Sequence, residues 1–110
     1  MAYDSDLESI LDRTTRAWPG VEKKKMFGGL VYTVHGHICV GIWQDHLILR
    51  AGDAVDALMA GDGRYRPFDV TGRAMKGWAM LAPQGWRDPA VRNGAIKTAR
   101  NFCQTLPQKV

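Results

Sequence analysis

The sequence has little of what membrane-spanning, secreted or disulfide-linked proteins need. Its longest apolar runs, residues 38–43 and 79–82, are far shorter than the about 18 residues of a membrane span. The acidic, polar start MAYDSDLES resembles neither a signal peptide nor a transit peptide. There are only two cysteines, and Cys39 and Cys103 stand in apolar patterns without metal-ligand or redox spacing. We therefore expect a cytoplasmic protein with buried thiols and no membrane partner.

Signatures of catalysis are also scarce. The chain has no G-x-S-x-G elbow, and its two serines, Ser5 and Ser9, lie at the start of a predicted helix. Several aspartates fall at turns and helix starts, where the side chain typically caps backbone N–H groups; they are Asp45, Asp53, Asp56, Asp62 and Asp69. No residue set supports an active site, so we expect a non-enzymatic protein that carries no cofactor.

One cluster of residues has the composition of a metal site, namely His35, His37, Cys39 and His46. Alternate residues of a strand share a face, which would suit zinc. However, Gly36 predicts a hairpin turn that places His35 and His37 on opposite strands, and no carboxylate partner is evident to orient the rings. We expect no physiological metal site, and a small-molecule or metal-dependent enzyme at His35, His37 and His46 is the third alternative.

Charge is unevenly distributed along the chain. Only two of the 15 basic residues but five of the 11 acidic ones precede Lys23, so the net charge of +4 lies in the later part. A basic face with neighbouring aromatic rings can bind nucleic acid, and direct nucleic-acid binding is the second alternative. Its candidate residues are Lys23, Lys24, Lys25, Arg64, Arg66, Arg73 and Lys76. A solubilising surface is the other interpretation of this charge.

The hydrophobic periodicity changes after the first 20 residues. A capping box at Ser5 and Glu8 and an apolar stripe at helical spacing predict a first helix that stops at Pro19. From residue 26 to residue 50 the period is two, with breaks at residues 35–36 and 44–45. This pattern predicts three antiparallel strands joined by tight hairpins.

The second half of the chain completes an α+β pattern. Asp53 precedes a short helix over residues 54–60, and Pro67 makes residues 65–70 an edge strand. Residues 75–82 predict another strand, and Asp88 with Pro89 begins a last helix that continues to Leu106. The order α-β(3)-α-β(2)-α predicts one two-layer α+β domain over residues 1–110, with long helices on one face of an antiparallel sheet.

The stretch KKKMFGGL, residues 23–30, combines three lysines with two glycines. A phosphate-binding loop needs glycines before the lysine and a helix after it, whereas here the lysines come first and a strand follows. We therefore predict that this stretch leads into the sheet. Gly28 and Gly29 would form a bulge or a close backbone crossing, and Met26 and Phe27 would contact the core.

Two motifs carry a resemblance to a known family. Met26-Phe27-Gly28-Gly29 precedes a strand, and Met75-Lys76-Gly77 precedes Trp78 in a later strand. This pattern resembles the N-terminal domain of the TfoX/Sxy family over nearly the whole chain. The resemblance implies a two-layer α-β(3)-α-β(2)-α fold similar to that of secretion chaperones, in which the two motifs are structural.

Named members of the TfoX/Sxy family regulate natural competence together with transcription factors, and they carry a second, helical domain. The present chain ends where that domain would begin, so we expect a single-domain member. The family brings no catalytic residues. The resemblance implies a cytoplasmic, non-enzymatic regulatory domain that binds another protein or a second copy of itself. Four tryptophans in 110 residues can fill the core or a homodimer surface, and with the chaperone-like topology they are compatible with a homodimer.

Overall fold

A computed structural model describes residues 3–107 as a six-stranded antiparallel sheet with four helices. The helices are α1 Ser5–Thr15, α2 Ala54–Gly61, α3 Pro83–Trp86 and α4 Pro89–Gln104. The strands are β1 Val21–Met26, β2 Gly29–Val34, β3 His37–Trp43, β4 His46–Arg50, β5 Tyr65–Pro67 and β6 Trp78–Leu81. Their order across the sheet is β1-β2-β3-β4-β6-β5. The predicted α+β class is confirmed.

Tight turns join the first four strands into a meander. Phe27, His35 and Gln44 have positive φ angles of 42°, 51° and 54°, and Gly28 and Gly36 have φ of 78° and 88°. Two-residue hairpin turns need such left-handed backbone because it matches the twist of the flanking strands. The predicted breaks at residues 35–36 and 44–45 are confirmed.

The three predicted strands are confirmed as β2, β3 and β4, but a fourth strand was missed, because the three lysines belong to a strand of their own. Lys24 of β1 pairs with Val31 of β2, so the meander has four strands. Consecutive lysines have low β propensity and no apolar alternation, but an edge strand tolerates them. The element order is therefore α-β(4)-α-β(2)-α-α.

The two glycines of KKKMFGGL have different structural roles. Gly28 belongs to the hairpin turn, and a Cβ on Gly29 would overlap the carbonyl oxygen of Ile42. The close backbone crossing is thus confirmed at Gly29, whereas no bulge lies between β1 and β2. Phe27 packs against a buried cluster as predicted, but Met26 is 42% exposed and does not join the core.

The main core lies between one face of the sheet, the helix side, and helices α1, α3 and α4. Alternate residues of the strands point to it, so the two-layer arrangement follows from the period of two. Its buried members on the sheet are Leu30, Tyr32, Cys39, Val40, Ile42, Leu47, Leu49 and Leu81. Its buried members on the helices are Leu7, Leu11, Trp86, Ala95, Ile96, Ala99 and Cys103, and Trp18 joins from the loop after α1.

The opposite face of the sheet, the outer face, carries a second and smaller cluster. Ile48 and Met80 lie there beneath Phe68, which stacks on Trp78 with ring centroids 5.4 Å apart. Residues 68–77, between β5 and β6, supply Phe68, Val70 and Met75 to this cluster. This segment therefore covers part of the outer face in place of a helix.

Helix ends follow capping chemistry, with one correction. The Asp4 carboxylate, rather than the predicted Ser5 side chain, accepts the Leu7 N–H at 3.0 Å and caps α1. Asp88 accepts the Ala90 N–H at 3.0 Å and caps α4, as predicted. None of the helices described within residues 3–107 is both long and apolar enough to cross a membrane.

The four residues of α3 were not predicted as a helix. A single turn gives no periodic signal, and Pro83 suggested only the end of the preceding strand. The Trp86 side chain at its end is buried, and its Nε1 donates a hydrogen bond to the carbonyl oxygen of Asp45 at 2.7 Å. This helix thereby attaches the turn between β3 and β4 to the core.

Gly29→Ala should lower the free energy of unfolding by about 2 kcal/mol, because the new Cβ would meet the backbone of β3. Gly94→Ala is the matched control. Its Cβ meets no atom within 4 Å, and replacing a helix-interior glycine should raise stability by about 1 kcal/mol. Urea denaturation of both variants measures the two effects. Equal stability of Gly29→Ala and the wild type would contradict the close crossing.

Candidate functional site

The β1 edge of the sheet, residues Val21–Met26, is open in the part of the chain that the structure describes. β1 pairs only with β2, and its residues from Glu22 to Met26 are exposed. In an antiparallel pair every second residue directs its N–H and C=O away from the neighbouring strand. The other edge, β5, has three residues, and Pro67 lacks an N–H. β1 is therefore the longer edge, and none of its residues lacks a backbone N–H.

Lys23 is occupied within the fold. Its Nζ lies 2.6 Å from Oε2 of Glu8 and 3.0 Å from Oδ1 of Asp12, above the ring of Tyr32. Burial disfavours its charge, but the two carboxylates outweigh burial and raise the pKa of Lys23. The sequence signal for this pairing is the spacing of Glu8 and Asp12, which four residues apart share one face of α1.

Tyr32 and Asp12 extend the same cluster into the core. The Tyr32 hydroxyl donates a hydrogen bond to Oδ1 of Asp12 at 2.6 Å. Burial opposes ionisation of Asp12, but the hydrogen bonds from Tyr32 and Lys23 prevail and lower the pKa of that carboxyl. Burial and the nearby Asp12 charge raise the pKa of Tyr32. These contacts fasten β1 and β2 to α1.

Of the three lysines of β1, Lys24 and Lys25 are the two that the fold leaves uncompensated. Lys24 pairs with Val31 and lies on the outer face, whereas Lys25 pairs with Leu30 and lies on the same side as Lys23. Both are exposed, and neither forms an ion pair with an acidic residue within 3–107. Glu22, on the same face as Lys24, is also exposed and unpaired among the described residues, so the unpaired charges of the β1 edge are two positive and one negative.

An apolar groove of about 280 Å³ adjoins the end of β1. The side chains of Tyr3, Met26 and Phe27 line it together with Lys25 and the backbone of the turn. Met26 is the one large hydrophobic side chain that is largely exposed among the described residues. Tyr3 was not predicted as part of this site, because its place depends on a bridge to the distant residue Gln44, in the turn between β3 and β4.

The predicted basic residues do not form one patch. Arg64 binds Asp62 through Nε at 2.8 Å and Nη2 at 2.6 Å, and these bonds lower the pKa of Asp62 to about 2. Arg66 lies on β5 at the opposite edge from Lys24. Arg73 and Lys76 are exposed on the segment that covers the outer face.

Lys24 and Arg66 nevertheless lie on one face of the sheet. The pairing register connects Lys24, Val31, Gly41, Ile48, Met80 and Arg66 in one row across the six strands. Five strand spacings separate its ends by about 24 Å. The outer face is therefore basic at both ends and aromatic between them, where Phe27, Trp43 and Trp78 are partly exposed.

The predicted metal candidates do not all come together, because His35 and His37 line one cleft whereas His46 lies at the opposite end of β3. His35 occupies a turn, His37 binds the carbonyl oxygen of Pro107, and His46 Nδ1 lies 2.8 Å from Asp45. The Asp45 partner of His46 was not foreseen. Within residues 3–107 no three His, Cys, Asp or Glu side chains are placed to hold a metal ion.

The family model for the TfoX N-terminal domain matches residues 13–101, which is most of the chain. This chain belongs to the TfoX N-terminal domain family. The expected relationship to the N-terminal domains of competence regulators is thus confirmed at the level of the family. No curated protein and no solved structure matches the chain significantly.

The two motifs of this TfoX N-terminal domain have distinct structural surroundings. Met26-Phe27-Gly28-Gly29 makes the β1–β2 turn and the wall of the apolar groove. Gly77 has a φ of 87°, and its carbonyl oxygen accepts the N–H groups of Ala51 and Gly52 at 2.9 and 3.0 Å. The second motif therefore connects the start of β6 to the end of β4.

Tyr32→Phe should lower the free energy of unfolding by about 1.5 kcal/mol at pH 7, because it removes a donor to an ionised carboxylate. The lowered pKa of Asp12 stabilises the fold above the unfolded-state pKa, and this contribution disappears as the pH falls through the folded-state pKa. The difference from wild type should therefore shrink below about pH 4. Urea denaturation of both proteins at neutral and acid pH measures this difference in the free energy of unfolding.

Tyr65→Phe is the matched control, because the Tyr65 hydroxyl has no hydrogen-bond partner among the described side chains. It should change stability little at either pH. If Tyr32→Phe lost the same free energy of unfolding at both pH values, this result would contradict the role of the Asp12 carboxylate.

Proposed function

We propose that this domain is a cytoplasmic, non-enzymatic regulatory module that binds an acidic, extended segment of a partner protein along β1. The observation that carries this proposal is the open β1 edge with its two uncompensated lysines. Exposed edge strands are templates for pairing with another chain. Lys24 and Lys25 restrict that pairing to segments that bring negative charge.

The proposed binding is the addition of a seventh strand to the sheet. Main-chain hydrogen bonds from the outward-facing N–H and C=O groups of β1 supply affinity, and side chains at alternate positions supply specificity. Acidic side chains of the partner would lie beside Lys24 and Lys25. One apolar side chain would enter the groove at Met26 and Phe27, which follows directly along the strand.

A second copy of this chain fits β1 poorly. Two β1 strands paired antiparallel would place lysines of one copy opposite or diagonal to lysines of the other. Like charges facing each other across strands are destabilising. A homodimer, with which the sequence is compatible, would therefore need another surface, and the partner at β1 is a different, acidic chain.

A fluorescein-labelled peptide of about eight residues, with two adjacent glutamates flanked by valines, should bind the domain and raise the fluorescence anisotropy. Adjacent residues of a strand face opposite sides, so one glutamate can lie beside Lys24 and the other beside Lys25. Removing both charges in Lys24→Gln/Lys25→Gln should weaken binding about tenfold or more. Arg13→Gln/Lys97→Gln removes the same charge on exposed helix positions and should leave the affinity unchanged.

A peptide of the same sequence with N-methyl groups at alternate residues tests the main-chain contribution. It retains the charges but cannot donate to a neighbouring strand, so its binding should be much weaker. Equal binding of the two peptides, or equal loss in both pairs of variants, would show simple charge attraction and contradict strand addition.

Nucleic-acid binding is the second candidate, and the outer face favours it. Lys24, Arg66, Arg73 and Lys76 are exposed on or over that face, with Trp43 and Trp78 partly exposed between them. Lysine and arginine neutralise phosphates and release counterions, while aromatic rings stack on bases. Lys23 and Arg64 contribute less, because their charges are already paired.

Labelled single-stranded and duplex DNA tests this candidate in the same anisotropy assay. Binding through the outer face should fall steeply between about 50 mM and 200 mM salt. It should weaken in Arg66→Ala/Arg73→Ala/Lys76→Ala, which leaves the β1 edge intact. Absence of DNA binding at low salt, with retained peptide binding, would exclude this candidate and leave strand addition.

A further inference from the structure

A second cavity lies on the helix side, at the end of the sheet where β1 begins. It is a cleft of about 400 Å³ between the β2–β3 turn and the C-terminal half of α4. Its walls include the side chains of His35, His37, Arg100 and Cys103, and no acidic residue lines it. The Arg100 guanidinium stacks 4.8 Å from the centre of the Trp18 ring, which holds this cation at the cleft.

A β-bulge directs Cys39 towards the same place. Tyr32 of β2 pairs with Val40, and the next residue Thr33 pairs with Ile38, so Cys39 is the extra residue of β3. A bulge of this kind changes the direction of a side chain. Cys39 therefore joins Val40 in the main core, where it is fully buried.

Cys39 and Cys103 meet at the base of the cleft. The Cys103 Sγ lies 3.6 Å from the carbonyl oxygen of Ile38, the neighbour of Cys39 in the chain. The Cys103 thiol donates to the carbonyl oxygens of Ile38 and, at 4.0 Å, Arg50. The neighbouring Cys39 thiol and the charge of Arg50 lower the pKa of Cys103 despite its burial. The neighbouring Cys103 thiol and burial raise the pKa of Cys39.

The two sulfurs thus differ in position. Cys103 is 5% exposed and lines the cleft, whereas Cys39 is fully buried behind it in the core. A cysteine that lines a cleft, lies close to an arginine and has a second thiol beside it has the arrangement of an oxidisable cysteine with its resolving partner.

We propose that Cys103 and Cys39 form a thiol pair that hydroperoxides oxidise to a disulfide, with the cleft as the route of access. This modification site goes beyond the proposed function and does not depend on it, since neither cysteine lies on β1 or on the outer face. Its substrate class is hydrogen peroxide or a small organic hydroperoxide, which the cleft can hold.

The reaction has two balanced steps. The Cys103 thiolate attacks the terminal peroxide oxygen, a sulfur–oxygen bond forms, the oxygen–oxygen bond breaks, and the leaving hydroxide or alkoxide takes up a proton. The Cys39 sulfur then attacks the Cys103 sulfenic acid, a sulfur–sulfur bond forms, and hydroxide leaves with the Cys39 proton as water. Two thiols lose two electrons, and the hydroperoxide gains them.

Oxidation is tested on the whole reduced chain with hydrogen peroxide at pH 7, followed by intact mass spectrometry and peptide mapping. We expect loss of two hydrogen masses and a peptide pair linked through Cys39 and Cys103, formed faster in the native than in the urea-denatured chain. Cys39→Ser should stop at a Cys103 sulfenic acid that dimedone traps. Cys103→Ser should react far more slowly.

If a serine variant fails to fold, trapping of the first sulfenic acid with dimedone in the wild type still tests the proposal. Cys103→Ala is a second variant that removes the thiol and keeps the position apolar. Initial sulfenic acid at Cys39, or oxidation that occurs only after unfolding, would overturn the proposal. Dimers linked between chains without an intramolecular bond would overturn it equally. Arg50→Gln should slow trapping at Cys103, because it removes the charge that lowers the pKa of this thiol, while Arg13→Gln should not.

Discussion

The register of β1 against β2 is the constraint on which the surface chemistry of this domain depends. The turn at Phe27 and Gly28 starts the pairing, and alternation then decides the side of each lysine. Lys23 falls opposite Tyr32 and pairs with the carboxylates of α1. A shift by one residue would exchange the faces of all three lysines. The pairing register, rather than the number of lysines, therefore decides which lysines of β1 keep an unpaired charge.

Local sequence patterns predicted the helices, hairpins and strands that depend on capping residues, turn residues or hydrophobic periodicity. The helix capped by Asp88, the hairpins at residues 35–36 and 44–45, and the edge strand containing Pro67 follow from capping chemistry, turn chemistry and period. β1 was missed because its lysines show no alternation and it is held by pairing with β2 and by α1. α3 was missed because one turn of helix has no period.

The functional features were less predictable, because each depends on contacts between distant residues. The sequence indicates a basic set, but only the structure shows that Lys23 is compensated while Lys24 is not. The spacing of Cys39 and Cys103 gives no hint of their contact, which results from a bulge in β3 and the position of α4. Such irregularities of pairing leave no periodic signal in a single sequence.

Amide hydrogen exchange along residues 21–26, followed by NMR with and without an acidic peptide, tests the central claim most directly. The account predicts that slow and fast amides alternate along β1, because every second N–H bonds to β2 and the others face solvent. Added peptide should slow the fast amides. Uniform exchange along these six residues, or peptide binding that leaves the fast amides unprotected, would contradict an open edge that takes up a partner strand.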